Sequence, residues 1–151
     1  MKILLATDGS KQGAAALEML KRLVIHDGDQ IVLVSVVNLP LPVGMDIYGG
    51  YVQDTAEIEK SAKENATRVL SDAAQNLRKD LGDRKVDVAT ELLFGSPESR
   101  IVELAENIRP DLIVVGSHDY SAWERLLIGS VSDAVVHHAP CSVMVVRCPK
   151  E

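Results

Sequence analysis

Short runs of β-branched and aliphatic residues alternate along this chain with longer segments of helical periodicity, and that alternation constrains the fold more than any other feature. A strand–helix–strand unit returns the chain to the same end of a sheet, so its strands run parallel. Five such runs occur in 151 residues with no linker between them. The expectation is one domain spanning residues 1–151. It is a doubly wound α/β fold, Rossmann-like, with a five-stranded parallel sheet and helices on both faces.

Lys2 to Thr7 reads as the first strand, ending at Asp8-Gly9-Ser10. Ser10 is the expected N-cap of a helix with Ala16, Leu17, Leu20, Leu23 and Val24 on one stripe. Gln30 to Val37 is a second strand, apolar almost throughout, as strands buried on both faces are. Asn38 to Asp54 holds Pro40, Pro42, Gly44, Gly49 and Gly50. It reads as a long exposed connection (residues 38–54), with a mobile lid as the alternative. Helical periodicity resumes from Glu57 to Leu81 through Ile58, Ala62, Ala66, Val69, Ala73 and Leu77. Val86 to Leu93 is a third strand. Gly95-Ser96-Pro97 then opens a helix with Ser96 as N-cap and Pro97 at its first position. Ile101, Leu104, Ala105 and Ile108 form the buried stripe of that helix, and Pro110 closes it. Asp111 to Gly116 is the fourth strand. A segment around Trp123 to Ile128 leads to Gly129-Ser130 and a last helix, with Val131, Ala134, Val135 and His138 on one face. Ala139-Pro140 stops it, and Cys141 to Arg147 is the fifth strand.

Charge and composition remove several functions. Lys and Arg number 16 against 22 Asp and Glu, a net charge of −6. That surface repels a polynucleotide backbone, and aromatic residues for base stacking make up only 3%. Neither DNA nor RNA is an expected partner. A mononucleotide is different, because backbone N–H groups suffice to hold it. Ile3-Leu4-Leu5-Ala6 behind Lys2 is too short for a signal peptide, and no run is long enough to span a membrane. The expected location is cytoplasmic, with Cys141 and Cys148 as reduced thiols at the two ends of one strand. The sequon Asn65-Ala66-Thr67 then has no use.

Ligands of doubly wound sheets sit beyond the carboxyl ends of the strands, where the winding reverses. Gly116-Ser117-His118-Asp119 follows the fourth strand, and Gly129-Ser130 opens a helix after nine further residues. A glycine leaving a strand admits close approach of a ligand, and a Gly-Ser pair at a helix start offers N–H groups, a hydroxyl and the positive dipole end. Two readings stand: a cradle for phosphates, or a tight turn and a simple N-cap. A GxxxxGK[ST] loop, a GxGxxG fingerprint and a GxSxG elbow are all missing.

The segments Ile3-Leu4-Leu5-Ala6-Thr7-Asp8-Gly9-Ser10, Gly95-Ser96-Pro97, Leu127-Ile128-Gly129-Ser130-Val131-Ser132 and Ala139-Pro140-Cys141, in this order, resemble the universal stress protein family, part of the adenine-nucleotide hydrolase-like superfamily. The resemblance covers the whole chain and implies the strand order 3-2-1-4-5. The nucleotide-binding branch of that family carries G-x2-G-x9-G-[ST], which Gly116, Gly129 and Ser130 match; Asp119 stands at the second glycine. By resemblance, Ala6 and Thr7 line a base pocket, Asp8 meets the ribose, and the backbone of Val36 reads the adenine edge. Gly116 and His118 lie beside the ribose and phosphates, and Gly129, Ser130, Val131 and Ser132 donate to the phosphates. Asp8 also suits an Asx turn or a helix cap. Asp119 tolerates the backbone of the glycine it replaces, but about 6 Å from a phosphate charge its carboxylate is repelled by roughly 0.7 to 3 kcal/mol. Affinity then falls roughly 3- to 100-fold unless Mg²⁺ bridges the two anions.

Adjacent His137 and His138 project about 100° apart on a helix and suit no shared metal. Cys141 and Cys148 lack CxxC spacing. No serine has a base placed by sequence, and the SGGxDS signature of the related ATP-pyrophosphatases is missing. Catalytic residues are therefore not assigned. The family order puts the fifth strand, Ser142-Val143-Met144-Val145-Val146, at a sheet edge, where relatives commonly dimerise. The resemblance thus implies a homodimeric regulatory or stress-response module that binds ATP, with AMP or cyclic AMP as variants, and acts on an unknown protein partner. Its rivals are a nucleotide-free interaction protein whose phosphate site Asp119 disables, and a slow Mg²⁺-dependent ATPase using Asp8 or Asp119.

Overall fold

A computed structural model describes residues 1–39, 55–117 and 129–148. His118, Asp119, the segment around Trp123 to Ile128 and the connection from Pro40 to Asp54 lie outside the described residues. Strands β1 (Lys2–Ala6), β2 (Gln30–Val37), β3 (Asp87–Phe94), β4 (Leu112–Gly116) and β5 (Ser142–Val146) alternate with helices α1 (Lys11–Lys21), α2 (Thr55–Leu81), α3 (Pro97–Ile108) and α4 (Ser130–His138). All the strands are parallel, in the order β3-β2-β1-β4-β5.

The central strands owe their place to residues that are apolar on both sides. In β1, Ile3 and Leu5 face the cluster built with α1 and α2, around Leu20, Leu70 and Leu77. Leu4 faces the opposite cluster with Ile101 and Ala105 of α3 and Val135 of α4. Two helices therefore cover each face, and both layers are sealed by side chains with no exposure. Removing Leu20 alone would cost about 2–5 kcal/mol.

Three expected core positions fall outside the core. Val24 is 73% exposed, because α1 stops at Lys21 and the chain tightens there. Arg22 and Leu23 donate three residues back, to Met19 and Leu20 O, and Ile25 is buried in place of Val24. Ile58 is 49% exposed because α2 is too long for the sheet. Its 27 residues span about 40 Å, whereas the 8 residues of β2 span about 26 Å, so the first turns overhang. The first buried residue of α2 is Ala66. His138 is exposed because the inward face of α4 runs through Ser132, Val135 and Ala139, leaving it on the flank.

Candidate functional site

The winding reverses at β1. The β1–β2 ladder ends at Ala6 opposite Val34, with Thr7 N–H donating to Val34 O at 2.9 Å as the last rung. On the other side β1 parts from β4 after Leu5 opposite Val114. Beyond these points a cleft of about 570 Å³ opens, counting its solvent-filled mouth. Ala6, Thr7 and Asp8 form one wall, Val34 and Val36 a second, Val115 and Gly116 a third. Pro97 and Ile101 of α3 and Val131 of α4 close it from one face, and Gln12 and Gly13 of α1 from the other.

Among the described residues, the second wall carries a backbone edge that no other strand pairs. Past the end of β1, Ser35, Val36 and Val37 pair only with β3. N–H and C=O groups of alternate residues in a parallel strand face the same neighbour. Val36 therefore directs both groups to the side on which Val34 O accepts from Thr7, where the ladder has stopped. A donor and an acceptor side by side suit the edge of a heterocyclic base.

The turn from β1 into α1 is held by its own short polar side chains. Asp8 Oδ1 accepts from Ser10 N–H at 3.0 Å, an Asx turn, and Ser10 Oγ accepts from Gly13 N–H at 3.1 Å as the N-cap. Gly9 sits at φ +78°, in the left-handed region glycine favours. The Asx-turn reading of Asp8 thus holds, and the residue also borders the cleft.

Gly116 has a structural reason for lacking a side chain. A Cβ there would lie 2.4 Å from Gln12 O and 2.6 Å from Gln12 C. The close approach that the glycine permits is that of the α1 main chain, whatever ligand lies beyond it.

At the opposite wall α4 starts at Gly129, its N-cap. Asp133 N–H closes the first turn on Gly129 O at 2.8 Å, so the N–H groups of Ser130, Val131 and Ser132 precede the first intrahelical bond. The Ser132 hydroxyl is buried and donates to Gly129 O at 3.0 Å, so only its N–H remains as a donor to a ligand. Ser130 is exposed. Beside it, Glu98 in the first turn of α3 receives a hydrogen bond from the Ser96 hydroxyl at 2.5 Å. That bond, its own N–H and the Ser130 hydroxyl hold the Glu98 carboxyl below the usual carboxylate range, against the opposing effect of partial burial. Ser96 keeps its N-cap position, but its hydroxyl serves Glu98 rather than a backbone N–H.

Ala6, Thr7, Asp8, Val36, Gly116 and Val131, picked out from sequence, thus converge on one cleft. Gly129, Ser130 and Ser132 adjoin it through Val131. Sequence reasoning missed the apolar floor of Val34, Ile101 and Val115, and it missed Gln12 and Gly13. The floor residues were legible as core; their second role follows only from the shorter length of β1. Among the described residues no three His, Cys, Asp or Glu side chains gather as metal ligands. The rings of His137 and His138 are 6.5 Å apart and tilted by 52°. Both described cysteines are free. No described helix is long and apolar enough to cross a membrane. The residues of β5 occupy one edge of the sheet, with Val143, Met144 and Val145 half-buried against the helices.

Comparison with known proteins agrees with this geometry. The model of the Universal stress protein family matches residues 1–147. A protein of Staphylococcus aureus (strain USA300) that bears the universal stress protein name is 34% identical over 146 residues, covering 96% of this chain and 82% of the relative. A universal stress protein family member from Arabidopsis thaliana, solved with AMP bound, superposes with a TM-score of 0.71 at 20% identity, covering 99% of this chain and 92% of the other. A universal stress protein solved in complex with cAMP gives a TM-score of 0.69 at 21% identity, covering 97% and 96%. At such identities the two structures speak for the fold.

Proposed function

The chain belongs to the universal stress protein family, and on that footing we propose that it binds an adenine nucleotide in the cleft between the carboxyl ends of β1 and β4. The observation that carries the reading is the edge of Val36, unpaired among the described residues and facing a cleft that Thr7, Asp8 and the start of α4 also border. Adenine presents an amino donor next to a ring acceptor, which Val36 C=O and N–H complement. The base lies over Ala6 and Thr7, with Val34 and Ile101 excluding water. The second oxygen of Asp8 accepts from a ribose hydroxyl, and Gly116 and His118 flank the sugar and phosphates. Phosphate oxygens accept from the N–H groups of Ser130, Val131 and Ser132, aided by the dipole of α4. The AMP and cAMP found in the two structural neighbours support this ligand class. ATP, alone or with Mg²⁺ near Asp8 or Asp119, is the largest member the cleft is proposed to take.

The protein is proposed to act as a cytoplasmic homodimer. Val146 O accepts from Ser117 N–H, so Val146 faces β4 and its neighbour Val145 turns its backbone to the open edge. Two copies of β5 then pair across that edge. Nucleotide bridging the loops after β1 and β4 shifts the population toward a surface that a protein partner recognises. Asp119 favours one rival, a nucleotide-free interaction protein. Calorimetric titration of ATP, AMP and cyclic AMP into nucleotide-stripped protein, with and without Mg²⁺ and beside Asp119→Gly, separates them. Micromolar binding by the wild type upholds the proposal. Binding by Asp119→Gly alone assigns the protein to the rival.

A further inference from the structure

The sheet has two edges, β3 at one end and β5 at the other. Asp87 N–H at the start of β3 donates to Asp29 O, and Gly95 N–H just past its end donates to Val37 O, both on the β2 side. Successive residues of a strand alternate their backbone groups between its two sides, and in a parallel ladder both groups of one residue point the same way. Val88, Thr90 and Leu92 therefore direct their N–H and C=O groups outward, to the side where no described strand pairs with β3. One of these groups is taken. Arg78, near the end of α2, reaches to the edge and donates from Nη2 to Val88 O at 2.6 Å, a short charge-assisted bond. The groove beside it, between α2 and β3, is bordered by Ser71, Gln75, Arg78, Thr90 and Leu92.

We propose that Arg78 is a plug that keeps β3 from pairing with β3 of a second copy, so that copies associate through β5 alone and assembly closes at two. The inference rests on the β5 pairing proposed above and deepens it. The β3 edge is self-complementary. An antiparallel pair centred on Thr90 sets Thr90 opposite the same residue of the second copy and Val88 opposite its Leu92, all with outward groups. Between them each Glu91 meets an Ala89 rather than another carboxylate. Thr–Thr and aliphatic cross-strand pairs of this kind stabilise a ladder. In that register Val88 O must accept from the N–H of the opposite Leu92, and twofold symmetry makes the demand twice. Arg78 fills that acceptor on each copy and sets a cation in the path of the incoming strand. A sheet free to pair at both edges would add copies β5 to β5 and β3 to β3 without end, an open fibre in place of a closed pair.

Sedimentation over a range of concentrations tests this on wild type, Arg78→Met, Lys79→Met and the double variant Arg78→Met, Thr90→Lys, with melting followed by circular dichroism on the same samples. Methionine keeps an aliphatic stem and removes every donor, and Lys79, exposed on the same turn, controls for the lost charge. Arg78→Met is expected to raise the weight-average mass at least about twofold over wild type, increasing with concentration, while Lys79→Met follows wild type. Thr90→Lys sets two cations face to face at the twofold axis and is expected to return the mass to that of wild type. An unchanged mass for Arg78→Met, with or without a lower melting temperature, makes Arg78 a stabilising contact alone and overturns the plug. The same growth in Lys79→Met or in the double variant overturns it too. A monomeric wild type beside a dimeric Arg78→Met overturns the β5 pairing and leaves the plug standing.

Discussion

Replacing Gly116 by alanine is expected to destabilise the protein before any ligand is added. The new Cβ would stand 2.4 Å from Gln12 O, where ordinary contact begins near 3.4 Å, so α1 and β4 must separate by about 1 Å. The obstacle is main chain, not a flexible side chain. The helix start is also pinned: Ser10 caps it through Gly13 N–H, and a Cβ on Gly13 would itself lie 2.7 Å from Thr7 Oγ1. Overpacking of this kind costs about 1–3 kcal/mol, and an unyielding neighbour puts it in the upper half of that range. For a domain of this size a loss of about 2–3 kcal/mol lowers the melting temperature by about 4–12 °C. Backbone strain contributes nothing, since Gly116 is not among the glycines with positive φ. Urea unfolding followed by circular dichroism reads the change as a lower midpoint at constant slope. A Gly116→Ala protein as stable as wild type, yet unable to bind nucleotide, would refute the packing argument and make the glycine a ligand requirement alone.

Ser10→Ala removes the cap of α1 and is expected to cost about 1 kcal/mol in the same assay, with no cavity to add to it. The Asp29 carboxyl is held below its ordinary value of 3.8 by His26 N–H and then by the Met1 amino group, and Glu98 below its ordinary 4.5 by Ser96. Lowered folded values give stability that is complete above the unfolded values and lost as pH falls through the folded ones, so melting temperatures should hold above about pH 5 and decline below about pH 4. The double variant Asp29→Asn, Glu98→Gln should flatten that acid decline. Val145→Pro places a residue without N–H on the open edge of β5 and is expected to yield a folded monomer by sedimentation; a persisting dimer would move the interface elsewhere.

The fold was legible because β1, β2 and β4 are apolar on both faces and the turns around them carry their caps in order. Ser10, Pro97 and Gly129 mark helix starts by chemistry that acts within a few residues, and all three are helix starts in the structure. Val24, Ile58 and His138 were misplaced because periodicity knows neither where a helix ends nor how far it overhangs its sheet. Six of the thirteen residues lining the cleft were legible through the family resemblance. Gln12 and Gly13 were not, because their place depends on how α1 packs against β4. Gly116 was found for one reason, ligand approach, where the structure supplies another, the backbone of Gln12. His118 and Asp119 remain proposals on sequence alone.

The most direct test of the account is an amide-resolved NMR titration of nucleotide-free protein with AMP. Binding in the cleft should shift the amides of Thr7, Asp8, Val36, Ser130 and Val131 together along one saturation curve, while the amides of Thr67, Ser71 and Thr90, in the separate groove between α2 and β3, stay still. Saturable shifts confined to that second groove, or no shifts at millimolar AMP, would contradict the assignment of the cleft as an adenine-nucleotide site.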